Sequence, residues 1–424
     1  MQSINSSPDT FSLLKAGQLI GSKQIKLACG LTQFPAELYE LTDTLEVLDL
    51  TGNALTRLPD DLDRFSKLRI LFCSSNHFTH MPEVLGACPS LSMIGFKANQ
   101  IKHIPESAIP TKTLRWFIVT DNALTQVPNA LGNCGNLQKL MLAGNQLTQL
   151  PAHMANCQRL ELLRISANQF QKLPDWLFNL ANLTWLAYAG NPFSNALEQR
   201  LMSQKTTTEI DWKDVTLGKV LGQGASGVTY QATWHQADGD QEDVAVKLFK
   251  AGLTSDGLPS CEMSANILAG IHANLVGIKG VLCRHPDGVQ GIVMPLLDED
   301  LTVLAQPPSL ETCSRDVYQE ALQMSRAQAQ HIATGIASAM NHLHAQGLMH
   351  GDLYAHNILW SSKRAVLSDL GGASFLPVAD KELTENLIKL EYRAFNVLLA
   401  ELAKISGQKV EQLRASIHFN SVTP

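Results

Sequence analysis

One pattern returns every 23 residues through the first half of the chain. Segments beginning at Leu45, Leu68, Leu91, Leu114, Leu137, Leu160 and Leu183 each reach an asparagine eight positions later, at Asn53, Asn76, Asn99, Asn122, Asn145, Asn168 and Asn191. Prolines keep the same period at Pro59, Pro82, Pro105, Pro128, Pro151 and Pro174. A unit this short cannot bury an apolar face alone, so it must stack on copies of itself. Leu48 and Leu50, with their equivalents, alternate inward from a short strand, and successive strands stack in parallel. The asparagine turns the chain inward, where its amide satisfies backbone groups that the bend leaves unpaired. A buried group without a partner costs ~1–3 kcal/mol. Proline then sets an extended path onto the convex side, where no ladder needs its missing N–H.

The pattern L-x-x-L-x-L-x-x-N-x-L-x-x-L-P resembles leucine-rich repeats, which implies an α/β solenoid over residues 45–193. Residues 1–44 read as an N-terminal segment and cap, with a shorter coil built on Leu27, Leu31, Phe34 and Pro35 and with Gly30 at the asparagine phase. The strand positions that do not point inward are unusually apolar for an exposed sheet. Phe72, Met93, Trp116, Ile118 and Met141 form a contiguous patch, expected to contact a protein substrate or partner. The other reading is that these side chains pack under another part of the same chain.

Composition narrows the classes further. Net charge is −6, from 33 basic and 39 acidic residues, which gives no general electrostatic case for nucleic acid or an anionic membrane. No apolar window is long enough for a membrane span. The start, Met1 to Asn5, has no basic region ahead of an apolar run and does not read as a secretory signal. Cys88, Cys134 and Cys157 fall at the phase of Phe65 and Leu180, the place of an apolar core residue, so they read as buried thiols. A cytoplasmic protein is the expectation.

After Phe193 the repeat stops, and residues 194–210 read as a cap and linker. Strand-like alternation from Val215 leads into Leu221-Gly222-Gln223-Gly224-Ala225-Ser226-Gly227-Val228. G-x-G-x-x-G alone is a weak signal. A dinucleotide-binding turn would open a helix, whereas Val228, Tyr230 and Ala232 alternate as in a second strand. A third run, Val244-Ala245-Val246-Lys247, carries a lysine suited to phosphates. Further on come His350-Gly351-Asp352-Leu353-Tyr354-Ala355-His356-Asn357 and, 17 positions after Asp352, Asp369-Leu370-Gly371. One carboxylate can take a proton from an attacking hydroxyl, while an amide oxygen and a second carboxylate suit hard cations.

In order and spacing these motifs resemble protein kinases, over residues 211–424. The resemblance implies an α+β bilobal domain with a shortened C-lobe, using ATP and Mg2+. It implies that Gly222, Gly224 and Gly227 cover the phosphates and that Lys247 holds them, with Glu262 as its carboxylate partner. Leu221, Val228, Ala245 and Leu359 would sandwich adenine, with Met294 as gatekeeper and Pro295-Leu296-Leu297 as hinge. Asp352 would be the catalytic base, and Asn357 and Asp369 the metal ligands.

The departures are as informative as the matches. Gly351 replaces the arginine that pairs with a phosphorylated activation loop, so that charge switch is not expected. Tyr354 stands where serine/threonine kinases place a lysine, and Leu370 replaces a phenylalanine. Only 19 residues separate Gly371 from Glu391, which sits at the usual aspartate of a central helix, and no A-P-E motif lies between them. A peptide-docking platform is therefore expected to be reduced. The implied function is an ATP- and magnesium-dependent protein kinase of serine/threonine specificity, with repeats for recognition. The alternative is a pseudokinase scaffold that binds nucleotide and a protein partner without phosphoryl transfer. Transfer to a small molecule, or to the protein itself, is a third reading.

Overall fold

The computed structural model describes residues 8–203, 205, 207–224, 226–415 and 417. The expectation for Met1 to Asn5 lies outside them, as do Gln204 and Thr206 of the expected linker and Ala225 of the glycine loop. The chain divides into two compact units, Met1–Leu183 and Thr184–Pro424. The division falls within the seventh repeat, so the strand carrying Trp185 belongs to the second unit.

The first unit opens with helix α1 (Pro8–Lys15) and strand β1 (Gln24–Lys26). The six repeats that follow each contribute one three-residue strand: β2 (Val47–Asp49), β3 (Ile70–Phe72), β4 (Met93–Gly95), β5 (Trp116–Ile118), β6 (Lys139–Met141) and β7 (Leu162–Arg164). All pair in parallel with a constant 23-residue register, so that Val47, Ile70, Met93, Trp116, Lys139 and Leu162 form one row. The coil around β1 pairs with β2 in the same sense.

Each asparagine does what its position demands. Asn145 Oδ1 accepts the Leu124 N–H at 3.0 Å, while its Nδ2 donates to the carbonyls of Val119 and Leu142, both at 2.9 Å. Asn76 and Asn168 repeat the arrangement. The prolines at 82, 105, 128, 151 and 174 sit in extended backbone immediately before short 3-10 turns on the convex side. Cys88, Cys134 and Cys157 end three of those turns as free, buried thiols. Burial pushes them up, Cys88 and Cys134 to about 12 and Cys157 to about 11.

The expected contact patch is smaller than its sequence suggests. Met93 and Met141 are buried, at 1% and 9% exposure. Met93 lies in the row between Ile70 and Trp116, and Met141 Sδ accepts the Trp116 Nε1–H at 3.3 Å. Parallel strands bring each row's side chains close enough to cover one another. Phe72, Trp116 and Ile118 remain half-exposed, and the Lys139 ammonium lies 4.7 Å from the centre of the Trp116 ring.

The second unit begins with strand β8 (Trp185–Ala187) and helix α2 (Pro192–Met202), whose first turn is capped by Asn191 and Ser194. Its upper lobe is a six-stranded sheet built from β9 (Glu209–Asp211), β10 (Val215–Gln223), β11 (Gly227–His235), β12 (Gln241–Phe249), β13 (Gly280–Cys283) and β14 (Gly291–Pro295), with helix α3 (Pro259–Ala269) between β12 and β13. The strand order is β10-β11-β12-β14-β13-β9, antiparallel except where β9 runs parallel to β13.

The lower lobe holds β15 (Thr302–Val303), helix α4 (Arg326–Ala345), β16 (Leu348–Met349), β17 (Ile358–Trp360), β18 (Ala365–Leu367), β19 (Ser374–Phe375), helix α5 (Lys381–Ser406) and helix α6 (Val410–Arg414). Ser325 and Gln328 form a capping box that starts α4, satisfying N–H groups which the first turn leaves free. From there Ile332, Ile336, Met340 and Leu343 recur at helical spacing as one fully buried stripe, against α5 and β18. This buried helix leads directly into the segment that carries Asp352. The fold is a parallel-sheet solenoid followed by a kinase-like α+β domain. Among the described residues no helix is long and apolar enough to cross a membrane.

Candidate active site

Between the two lobes of the second unit lies a cleft of about 650 Å³. Its roof follows from strand register. Thr229, Lys247 and Ile292 form one cross-strand row, and Gln231, Ala245 and Met294 form the next row on the same face. Both rows line the cleft. Val228 pairs with Leu248 in the row on the other side of Thr229, out of phase with the two lining rows, and it does not line the cleft. Side chains alternate along a strand, so Thr229, and not the expected Val228, is the residue of this stretch that faces the cleft. The alternation of β11 was legible in the sequence, but its phase was read one residue out.

Leu221, Gly222, Gly224 and Gly227 edge the cleft, with Met294, Pro295, Leu296 and Leu297 along its back and Leu359 below. A side chain added at Gly222 or Gly224 would meet no protein atom within 4 Å. These two glycines therefore leave open space beside the backbone of the loop, and Gly224 N–H closes the turn onto the Gly227 carbonyl at 3.0 Å.

Lys247 Nζ pairs with Glu262 Oε1. The side chains are 16% and 3% exposed, so the pair is largely withdrawn from water. Glu262 projects from the first turn of α3, the only carboxylate that helix offers. Burial raises the Glu262 carboxyl, the Lys247 charge opposes that, and the Asp369 carboxylate adds to it.

Asp352, Asn357 and Asp369 are held by one hydrogen-bonded scaffold. Asn357 Nδ2 donates to the Asp352 carbonyl at 2.9 Å and to its Oδ2 at 3.0 Å, so Oδ1 is the amide atom left to take a cation. His350 is fully buried. Its Nδ1 accepts the Asp352 N–H at 3.3 Å, which assigns the ring proton to Nε2, donating to the Ser368 carbonyl at 2.9 Å. Ser368 in turn donates from Oγ to the Asn357 carbonyl at 2.8 Å. The next residue, Asp369, adopts a left-handed backbone (φ 58°) and accepts the Gly371 N–H at 3.0 Å. Asp369 lines the cleft, while Asp352 and Asn357 lie outside its lining. Among the described residues no cluster of three or more His, Cys, Asp or Glu side chains is arranged for a metal. One carboxylate and one amide suit a hard cation that arrives with phosphate oxygens completing its shell.

Sequence reasoning missed Ser368, because a serine beside an aspartate carries no signal of its role. It also missed the partners of Tyr354, whose ring is buried under Trp185 at 4.0 Å between centroids.

Residues 215–404 match the family model described as protein tyrosine and serine/threonine kinase, and residues 135–193 match that of the leucine rich repeat. The chain carries leucine-rich repeats and a protein kinase domain. A protein of Acanthamoeba polyphaga mimivirus, named as a serine/threonine-protein kinase, is 25% identical over 206 residues, 48% of this chain and 33% of that protein. Cyclin-dependent kinase 10 of Homo sapiens is 29% identical over 183 residues, 42% of this chain and 46% of its own length. The chain thus spans a third to under half of these relatives. A leucine-rich-repeat protein of Leptospira interrogans is 26% identical with a TM-score of 0.34, covering 42% of this chain and 50% of that chain, a likeness that carries no argument. The relatives of the kinase domain include serine/threonine kinases at modest identity.

Proposed function

We propose that the kinase domain transfers the terminal phosphoryl group of ATP to a serine or threonine hydroxyl, and that the repeats recognise the substrate or a partner. The observation that carries this reading is the withdrawn Lys247–Glu262 pair facing Asp369 across one cleft, with Asn357 anchored to Asp352 nearby. Lys247 holds phosphate oxygens as a point charge kept in place by Glu262. Asp352 accepts the proton of the attacking hydroxyl, and its orientation is fixed by the Asn357 amide. Asn357 Oδ1 and the Asp369 carboxylate are the groups that would hold Mg2+. When bound, that ion neutralises charge on the phosphates. Ala245, Thr229, Met294 and Leu359 enclose an apolar slot suited to adenine. Phe72, Trp116 and Ile118 are the exposed remainder of the apolar repeat face and serve as its contact residues. Free thiols at all eight cysteines agree with a cytoplasmic setting.

A second reading, a nucleotide-binding scaffold without transfer, draws on Tyr354, which offers no cation beside Asp352. One experiment separates the two. Protein is incubated with labelled ATP and Mg2+ beside Asp352→Ala and Lys247→Ala, with dephosphorylated casein as acceptor. Label from the wild type and from neither variant supports transfer. Equal label from all three, or none from the wild type despite nucleotide binding, overturns it.

A further inference from the structure

Nine residues separate Gly371 from Lys381 at the start of α5. That is too short for the long, phosphorylation-ordered segment by which kinases set their acceptor side. Something else must hold the loop after Asp352: Trp185 grips it, while Tyr188 and Glu198 hold the segments beside it.

Trp185 is 1% exposed, and its indole stacks on the Tyr354 ring with centroids 4.0 Å apart and planes 10° from parallel. Its Nε1–H donates to the Leu353 carbonyl at 3.0 Å. The Arg315 guanidinium lies 5.4 Å from the Trp185 ring centre. Leu353 and Tyr354 follow Asp352 directly, so the indole fixes the backbone immediately after the candidate base. Three residues on, Tyr188 N–H donates to Ser374 Oγ at 3.0 Å and Tyr188 Oη donates to the Phe375 carbonyl at 2.9 Å. This ties down the short segment after Asp369. Further along, α2 packs on α3, where Cys261 Sγ donates to Glu198 Oε2 at 3.5 Å, one residue before Glu262.

Gly351 fits the same arrangement. Its φ is 70°, and a Cβ there would fall 2.3 Å from the Gly372 carbonyl oxygen and 2.7 Å from that of Leu186. The backbone of β8 therefore occupies the room into which a side chain at position 351 would grow.

We propose that Trp185 is a positioning residue of the kinase site, fixing the Asp352–Tyr354 turn through the Tyr354 ring and the Leu353 carbonyl, so that β8 and α2 do the bracing of an ordered activation segment. The proposal rests on the transfer reading above. It deepens that reading by placing the activating contact inside the chain, with no phosphorylation step required.

The test uses the full chain and the variants Trp185→Ala and Trp185→Phe. It reads two quantities: kcat for label transfer to dephosphorylated casein, and affinity for a fluorescent ADP analogue. Nucleotide affinity should stay within about twofold, because Trp185 does not line the cleft. In Trp185→Ala, kcat should fall on the order of 10²-fold, the cost of a misplaced reacting group. Trp185→Phe keeps a stacking ring but loses the donor to Leu353, so it should fall between the two. If Trp185→Ala does not fold, the same split in Trp185→Phe carries the proposal. Transfer by the wild type with unchanged kcat in the folded variants overturns this proposal alone. So does a parallel loss of kcat and nucleotide affinity, which marks a merely structural residue. No transfer by the wild type overturns the kinase reading beneath it.

Discussion

Gly351 and Glu391 are joined by a buried hydrogen bond, the Gly351 N–H donating to Glu391 Oε1 at 2.9 Å. The other carboxylate oxygen accepts from His344 Nε2 at 2.5 Å, so α4, α5 and the loop before Asp352 meet at one side chain. Burial works against ionisation of Glu391, yet the hydrogen bond and charge of His344 hold its carboxyl below the usual range. Glu391→Ala strands both donors in a dry interior. We predict a loss of about 3–5 kcal/mol in urea unfolding, the range for breaking a buried charged pair. A loss under about 1 kcal/mol would show that the donors find other partners.

The Lys247–Glu262 pair makes a second prediction. Removing the carboxylate leaves Lys247 little exposed and free to swing from the phosphate position. Glu262→Ala should lower kcat by about 10²-fold, the scale for losing one preorganised charge at a transferring group. Lys247→Arg should not recover activity, since a planar fork does not replace a compact ammonium against the carboxylate. Steady-state kinetics on the two variants decide this, and full activity in either removes the pair from the mechanism.

Gly351→Ala tests whether the missing arginine is a loss of regulation or a consequence of packing. An alanine must adopt φ near 70° and displace two carbonyl oxygens. The left-handed backbone alone costs roughly 1–2 kcal/mol. We predict a lower melting temperature for Gly351→Ala and a larger fall for Gly351→Arg. An unchanged melting temperature in both would mean the loop has room for a side chain.

The repeats were legible because their signals are local and periodic: one inward pair, one asparagine and one proline, repeated. One periodic feature went unread. The residue before each repeat asparagine takes a positive φ, at Gly52, Ser75, Ala98, Asp121, Gly144, Ala167 and Gly190. Glycine at only some of these positions masked the rule. In the kinase domain the short spacings of the motifs single out Lys247, Asp352, Asn357 and Asp369 as candidates, and the structure brings Lys247 and Asp369 to one cleft. The orientation of Val228 depended on a strand phase that the irregular β10–β11 register obscures. Trp185 could not be assigned from the sequence at all. It lies 168 residues from its hydrogen-bond partner Leu353, and its own segment reads as one more repeat strand.

Asn145 gives a prediction for the first unit alone. Its side chain satisfies one backbone N–H and two carbonyls, all buried. Asn145→Ala leaves three groups unmet at ~1–3 kcal/mol each, less what local relaxation and water recover. We predict a net loss of about 3 kcal/mol in denaturant unfolding. Gln158→Ala, whose side chain is exposed on the convex side, is the control and should stay within about 0.5 kcal/mol. Similar values for both would remove the asparagine ladder as a source of stability.

Glu401 on α5 provides a pH-dependent test. Its carboxyl is pushed up from 4.5 to about 7, chiefly by burial, against the Tyr318 Oη–H that donates to it at 2.9 Å. A folded-state value above the unfolded one means the folded protein binds the proton more tightly. The stabilisation is therefore fully present below about pH 4.5 and is lost as pH rises through 7. Partial solvent access limits the total to about 1–3 kcal/mol. Glu401→Gln keeps an acceptor for Tyr318 and cannot ionise. We predict that the variant and the wild type unfold at similar urea concentrations at pH 4.5, and that the variant becomes the more stable of the two by pH 8. Other titrating groups cancel in that difference, so a gap that stays flat across the range would show that Glu401 is ionised in the fold at its ordinary pH.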